Sequence, residues 1–375
     1  MLDWLSRGDA GVNEPFRCEV VYGTGNFMKL KADWDRLLER SRSIARPFLT
    51  HDWTRNWLEF FGPKCEPVII LVYLGERIVG LAPLCHRPNP YIGPLWTTLS
   101  FLGDPGADYH DFIIDETVDY TRMYEYILGI VRNMAKRYSV ARLYNVHSEV
   151  ASLFAKGLPN GVTVHPTRCL YVDTRQSWDS YHNDILTKKM RYALKRASKV
   201  GPIRYSVASN ESEINPFMQA LFDMHKRRWG ATKTPSAFRS ARYQTVLLNL
   251  AHEFMRESRI HLSYLSIGGE IAACTYSVRD PERNRLYGYL NAWNPGLARL
   301  SPGILMIYFL IRNEYDRYEV IDFMNGENEY KNHWANKETQ SYTFRLYKTP
   351  MHKAIYTRLR TMVDKKAGNV RSLGG

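Results

Sequence analysis

Tyr287-Gly-Tyr-Leu-Asn-Ala-Trp-Asn-Pro295 is followed by Leu300-Ser-Pro-Gly303, by an apolar run, by Val320-Ile-Asp-Phe323 and by Gly326-Glu-Asn-Glu-Tyr-Lys331. Between Tyr287 and Trp334 an aromatic strand, a turn, a helix, a second strand and a polar cluster succeed one another without a spacer. That order suits a site built where a strand delivers its end to a helix N-terminus. The first amides of a helix have no intrahelical acceptor and carry partial positive charge, so such an end binds phosphate. The Ser301-Pro302-Gly303 turn stands where the helix is expected to begin.

Working backwards, the runs Ile260–Ile267 and Glu270–Val278, turning at Gly268-Gly269, read as a hairpin. An earlier hairpin, Val68–Leu74 and Arg77–Leu84, turns at Gly75-Glu76. Gly75, Ile78 and Gly80 of the first fall in step with Gly268, Ile271 and Ala273 of the second. Two helical stretches precede each hairpin; strand, helix and strand follow. The expectation is an α/β (α+β) chain made of two copies of one unit. Chance similarity between two hairpins is the bland alternative. The copies differ at the helix start: Glu116-Thr117-Val118-Asp119 precedes the first and would repel a phosphate. Residues 15–172 are therefore read as a module without a phosphate-binding donor-type helix start, and 173–350 as the module that binds the phosphorylated ligand. The second module opens with a single basic helix over 178–200, and 351–375 form a basic tail.

The chain has 375 residues, of which 45% are hydrophobic, enough to build sizeable cores. Its 51 Lys+Arg against 38 Asp+Glu give a net charge of +13, which fits an anionic membrane surface, nucleic acid or phosphate-bearing substrates. Five cysteines without a CxxC pair indicate neither a disulfide framework nor a zinc site. His110 and His333 lack partners at ligand spacing, so no metal is expected. No apolar run reaches the roughly 20 residues that span a bilayer. The start of the chain does not read as a signal peptide, so a cytoplasmic protein, at most peripheral at the inner face of the membrane, is expected.

Pro47-Phe48 with Trp53 and Trp57, Gly80-Leu-Ala-Pro-Leu84, Tyr287-Gly-Tyr289, Ser301-Pro-Gly303, and Asp322-Phe323 followed by Gly326, Tyr330 and Lys331 resemble, in this order, the GNAT-like acetyltransferases of cellulose and other exopolysaccharide synthesis. Those are related to the FemAB aminoacyltransferase fold. The resemblance spans about residues 30 to 345. It implies two tandem GNAT-like modules, each a mixed, largely antiparallel sheet flanked by helices. It also implies an acyl donor, acetyl-CoA, held by the loop from Arg299 through Leu300, Ser301, Pro302, Gly303 and Ile304. The fuller glycine-rich form of that loop is missing here, which leaves a carrier-protein thioester or an aminoacyl-tRNA open as donor.

Acylation of an amine needs a neutral amine, a polarised carbonyl and a proton for the leaving group. Asp322, at the end of an apolar strand, or Glu327 can take the ammonium proton; the plainer readings are a turn cap and a solvated loop charge. Lys331 can meet the oxyanion or a substrate phosphate, and Tyr330 can donate a proton; otherwise they are a surface lysine beside a core tyrosine. Tyr289 and Asn291 can line the cleft or simply pack in their strand. Lys188 and Arg191, in the basic helix, are candidates for a phosphorylated or lipid-linked sugar acceptor, or form a solvated face. The tail, with Lys353, Arg358 and Arg360, reads as an ordinary frayed end, or as a contact for an anionic membrane or a cyclic dinucleotide. DNA is not an expected partner. No cysteine or serine nucleophile with a matching base stands out, so direct attack of the amine is expected. The expected activity is N-acetylation of an amino sugar in exopolysaccharide synthesis. The alternatives are aminoacyl transfer from tRNA to a peptidoglycan precursor, or a non-catalytic module binding a phosphorylated regulator.

Overall fold

A computed structural model describes residues 16–61, 65–89, 93–104, 106–159, 162–230, 236–326 and 329–359. The chain forms two compact units. The first comprises Met1–Ser43, Phe61–Pro166 and Tyr342–Gly375; the second comprises Ile44–Phe60 and Thr167–Ser341.

In the first unit the sheet order is Arg17–Tyr22, Glu66–Leu74, Arg77–Asn89, Gly93–Phe101, Val140–His147. All neighbours are antiparallel except the last pair, where Thr98–Ser100 run parallel to Val140–Arg142. In the second unit the order is Ile203–Val207, Ile260–Ile267, Glu270–Asp280, Arg285–Trp293, Val320–Asn325. Again only the last pair is parallel. A helix joins the parallel strands in each unit: Tyr120–Ala135 in one and Pro302–Glu314 in the other. The repeat expected from the two hairpins is thus a repeat of sheet order, of pairing sense and of crossover helix. Gly75 and Gly268 turn the hairpins at φ 59 and 61, a region where only glycine escapes a steric penalty.

The crossover helices bury their apolar faces on the sheet. Met123, Ile127, Leu128 and Val131 join Ile70, Val72, Leu84 and Phe101 in the first core. Leu305, Met306, Leu310 and Ile311 join Leu265, Leu286 and Ile321 in the second.

Two features depart from the sequence reading. The basic stretch 178–200 is two helices, Trp178–Ile185 and Lys188–Val200, because the Thr187 hydroxyl accepts from the Met190 amide at 3.2 Å and starts a new helix. The compact units also divide otherwise than at 172 and 350. Residues 44–60 belong to the second unit, where Phe48 packs edge-on to Tyr287 at 5.8 Å and Trp53 to Tyr289 at 5.2 Å. Residues 342–350 belong to the first, where Phe344 and Leu346 enter the core. Of the 351–375 tail, residues up to 359 are described; they continue a helix that begins at 350.

Candidate functional site

Strands Arg285–Trp293 and Val320–Asn325 pair over three positions only, Arg285 with Val320, Leu286 with Ile321 and Tyr287 with Asp322. Beyond Tyr287 the first strand keeps its other neighbour, Glu270–Asp280, while the edge towards Val320–Asn325 has no strand partner among the described residues. The two strands therefore part after Tyr287 and Asp322 and leave a wedge. Gly288, Tyr289, Leu290 and Asn291 are half-buried along its wall.

The separation has a local cause. Met324 sits at φ 56, a left-handed conformation that costs a non-glycine residue about 1–3 kcal/mol. The register of Val320–Asn325 against the 167–173 strand slips between Asp322 and Asn325. Asp322 is fully buried: Oδ1 accepts from the Met324 amide at 2.7 Å, and Oδ2 meets Arg285 Nη1 at 3.0 Å. Lys331, 5% exposed, donates from Nζ to the Asn325 carbonyl at 2.6 Å and the Met324 carbonyl at 3.4 Å. Asn325 Oδ1 accepts from Cys169 Sγ and Ser341 Oγ, both at 2.8 Å. Asp322 and Lys331, two of the charged residues singled out in the sequence, thus converge on one bulge.

At the mouth of the wedge, Pro295–Leu300 form a 3-10 turn and Ser301 adopts φ 56, ψ 49. The Ser301 carbonyl accepts from the Ile304 amide at 3.1 Å and the Leu305 amide at 3.2 Å. Pro302 brings no N–H. Gly303 is therefore the residue of the first three in the helix whose amide takes no acceptor among the described residues. A Cβ on Gly303 would lie 3.2 Å from Trp293 Cδ1, so the turn and the strand end are in close contact. The Ser301 hydroxyl does not cap the helix; it accepts from Arg196 Nη2 at 3.2 Å. Arg228 lies over the Trp293 ring at 5.2 Å. The corresponding helix of the first unit is closed differently: the Asp119 carboxylate accepts from the Arg122 amide at 2.8 Å.

Tyr289 joins a cluster of rings with Trp53, Phe48 and Tyr276, and Asn291 lies opposite Thr275. Lys188 and Arg191 are exposed, and Arg191 donates to the Leu186 carbonyl at 3.2 Å. Tyr330 lies in the short helix Glu329–Trp334, and Glu327 is outside the described residues. Sequence reasoning missed Arg285 as the partner of Asp322. It also did not separate Arg196 from the other charges of the basic stretch 178–200, although Arg196 reaches the turn through a hydrogen bond and Arg285 reaches Asp322. Charged residues inside an amphipathic pattern give no local sign of a specific acceptor. No three His, Cys, Asp or Glu residues converge as a metal site among the described residues. No helix there is long and apolar enough to cross a membrane.

Residues 186–332, which contain the wedge, match a family model described as an acetyltransferase (GNAT) domain. No curated protein matches the chain. Among solved structures, FemX is similar with a TM-score of 0.58 at 11% identity, over 90% of this chain and 99% of that one. The C-terminal domain of a putative lysylphosphatidylglycerol synthetase from Agrobacterium fabrum gives 0.56 at 12% identity, over 90% and 97%. L-PGS from Bacillus licheniformis gives 0.52 at 12%, over 88% and 95%. At such identities the likeness is one of fold, and it extends over nearly the whole of both chains. Residues 186–332 thus form a GNAT acetyltransferase domain, built on a mixed and mostly antiparallel sheet, and the chain is an N-acyltransferase.

Proposed function

We propose that the second unit acylates a primary amine by direct attack on a thioester, with acetyl-CoA as donor and a phosphorylated or lipid-linked amino sugar as acceptor. The observation that carries this reading is the parting of the strands after Tyr287 and Asp322, next to a helix N-terminus that has no carboxylate cap. An acyl chain entering the wedge would lie along the half-buried strand edge Gly288–Asn291, whose amides suit a developing oxyanion. The donor phosphate would sit at the Gly303 amide with Arg196 beside it. Both oxygens of Asp322 are already engaged, so its role here is to fix the bulge; Glu327 is assigned the ammonium proton. Tyr330 is assigned the proton that the leaving thiolate needs. Lys331 holds the wall against which the acceptor binds.

Aminoacyl-tRNA as donor is the second reading. The similarity of fold to FemX and to lysylphosphatidylglycerol synthetases favours it, as does the net charge of +13. Pro302 removes one of the amides on which a pyrophosphate would otherwise rest, which also weighs towards a donor held by cationic side chains. Calorimetry of the full chain with acetyl-CoA and with aminoacyl-tRNA separates the two. The first reading expects saturable acetyl-CoA binding that weakens in Arg196→Gln. The second expects RNA binding that falls steeply with salt. Binding of neither would overturn both.

A further inference from the structure

The first unit contains a cavity of about 500 Å³ that the acyl-transfer reading does not use. Arg132, Lys136, Arg345, Lys348 and Lys353 line it, and no carboxylate does among the described residues. Its volume falls in the range of about 300–1,000 Å³ typical of small-molecule sites.

The cations come from separate parts of the chain. Arg132 and Lys136 close the Tyr120–Ala135 helix, where positive charge is favoured by the helix dipole, so those two have an ordinary explanation. Arg345, Lys348 and Lys353 have none of that kind. They arrive some 200 residues later, on the end of a strand, on a turn and on the first turn of the 350–359 helix, and face the same space. Among the described residues, Arg132, Lys136, Lys348 and Lys353 make no ion pair; Lys136 donates to Asn133 Oδ1 at 3.2 Å. Gathering like charges around one concave surface raises its potential and draws an anion into it.

The backbone that carries these later cations is anchored. The Lys348 amide donates to the Ser139 carbonyl at 3.2 Å, which anchors the turn. Thr349 caps the following helix: its hydroxyl accepts from the His352 amide at 3.3 Å, and its carbonyl accepts from the Lys353 amide at 3.2 Å. That helix N-terminus, with Pro350 opening it, adds partial positive charge at the cavity. Arg345 is 4% exposed and lies over the Tyr356 ring at 5.8 Å, so one guanidinium is held at depth while the lysines stand at the rim. The remaining wall is apolar, with Val162 and Leu346.

From this we infer that the first unit binds a small phosphate-bearing metabolite in the cavity, with the phosphoryl group against Arg345, Lys348 and Lys353 and a ring or apolar body against Val162 and Leu346. The site is not a remnant of a second donor site. It lies at the C-terminal end of the Tyr120–Ala135 helix, opposite the Asp119 cap that closes the N-terminal end.

The test uses the full chain with ADP and inorganic pyrophosphate as probes, and with phosphatidylglycerol vesicles as a separate arm. ADP also resembles part of CoA, so each probe is titrated into wild type, into Arg196→Gln and into Arg132→Gln/Lys353→Gln. Arg132 and Lys353 are exposed, and their replacement leaves the core untouched. The expected result is a binding event that survives Arg196→Gln and weakens at least about tenfold in the double variant. Acetyl-CoA binding is unchanged in the double variant. ADP and pyrophosphate binding as tight in the double variant as in wild type would overturn the proposal. So would binding of vesicles with neither soluble probe bound, which would make the surface a lipid contact. Loss of acetyl-CoA binding in Arg196→Gln alone bears on the donor site and leaves this one standing.

Discussion

Asp322 and Lys331 hold the same residue from its two ends. Asp322 Oδ1 takes the amide of Met324 at 2.7 Å, and Lys331 Nζ reaches its carbonyl at 3.4 Å, with the Asn325 carbonyl at 2.6 Å. Between them Met324 is kept at φ 56, and the strand turns away from its parallel neighbour. The wedge is thus maintained by two opposite charges that act on the backbone.

Removing either should open or collapse that wall. In Lys331→Met the two carbonyls lose their donor in a buried setting, a penalty of about 1–3 kcal/mol. In Asp322→Asn, Arg285 loses its anionic partner. Both variants should keep the far-ultraviolet circular dichroism of wild type and lose about ten- to a hundredfold in kcat/KM for acyl transfer, since a positioning error of about 1 Å has that effect. Wild-type turnover in both would remove these residues from the site.

Arg196 should govern donor affinity. Its guanidinium reaches Ser301 at the helix mouth, whereas Arg191, one turn earlier, is spent on the Leu186 carbonyl. Arg196→Gln should weaken donor binding about tenfold, ~1.4 kcal/mol, and Arg191→Gln should leave it unchanged. Equal effects of the two, measured by calorimetry, would mean that the helix contributes only diffuse charge.

What could be read in advance follows from how local each signal is. The hairpins were legible because Gly75 and Gly268 occupy φ values that other residues avoid. The Ser301-Pro302-Gly303 helix start was legible because proline at the first helical position and an apolar run after it are local cues. The home of residues 44–60 was not. Phe48 and Trp53 announce an apolar face, but Tyr287 and Tyr289, which that face covers, lie more than 200 residues away. The bulge at Met324 was hidden for the opposite reason: methionine has no preference for the left-handed region, and side chains outside the strand impose it.

Gly201 ends the Lys188–Val200 helix against the second hairpin. A Cβ there would lie 2.7 Å from Gly268 Cα, and Gly268 is itself pinned by donating to the Pro202 carbonyl at 3.0 Å. The clash is with backbone, so no side-chain rotation relieves it. Gly201→Ala should destabilise the second unit by about 1–3 kcal/mol, the cost of overpacking. Gly230→Ala, where a Cβ meets nothing within 4 Å, serves as the control. Urea unfolding with matched midpoints for the two would contradict the contact.

Asp111 gives the first unit a dependence on pH. Its carboxyl is 2% exposed, and burial pushes its pKa up to about 6, even though Tyr124 Oη at 2.6 Å, Ser43 Oγ at 2.7 Å and the Phe112 amide at 2.8 Å all donate to it. A carboxyl whose pKa is raised on folding holds its proton more tightly in the folded chain. Its stabilising contribution is therefore complete below the ordinary carboxylate range near 3.9 and is lost as pH rises through about 6. At one pKa unit per 1.36 kcal/mol the loss amounts to at most about 3 kcal/mol. Asp111→Asn cannot titrate, so its stability relative to wild type should rise between pH 4 and pH 7 by up to that amount. Urea unfolding of both proteins across that range checks it; a difference that stays constant with pH would show that Asp111 is ionised throughout in the folded protein.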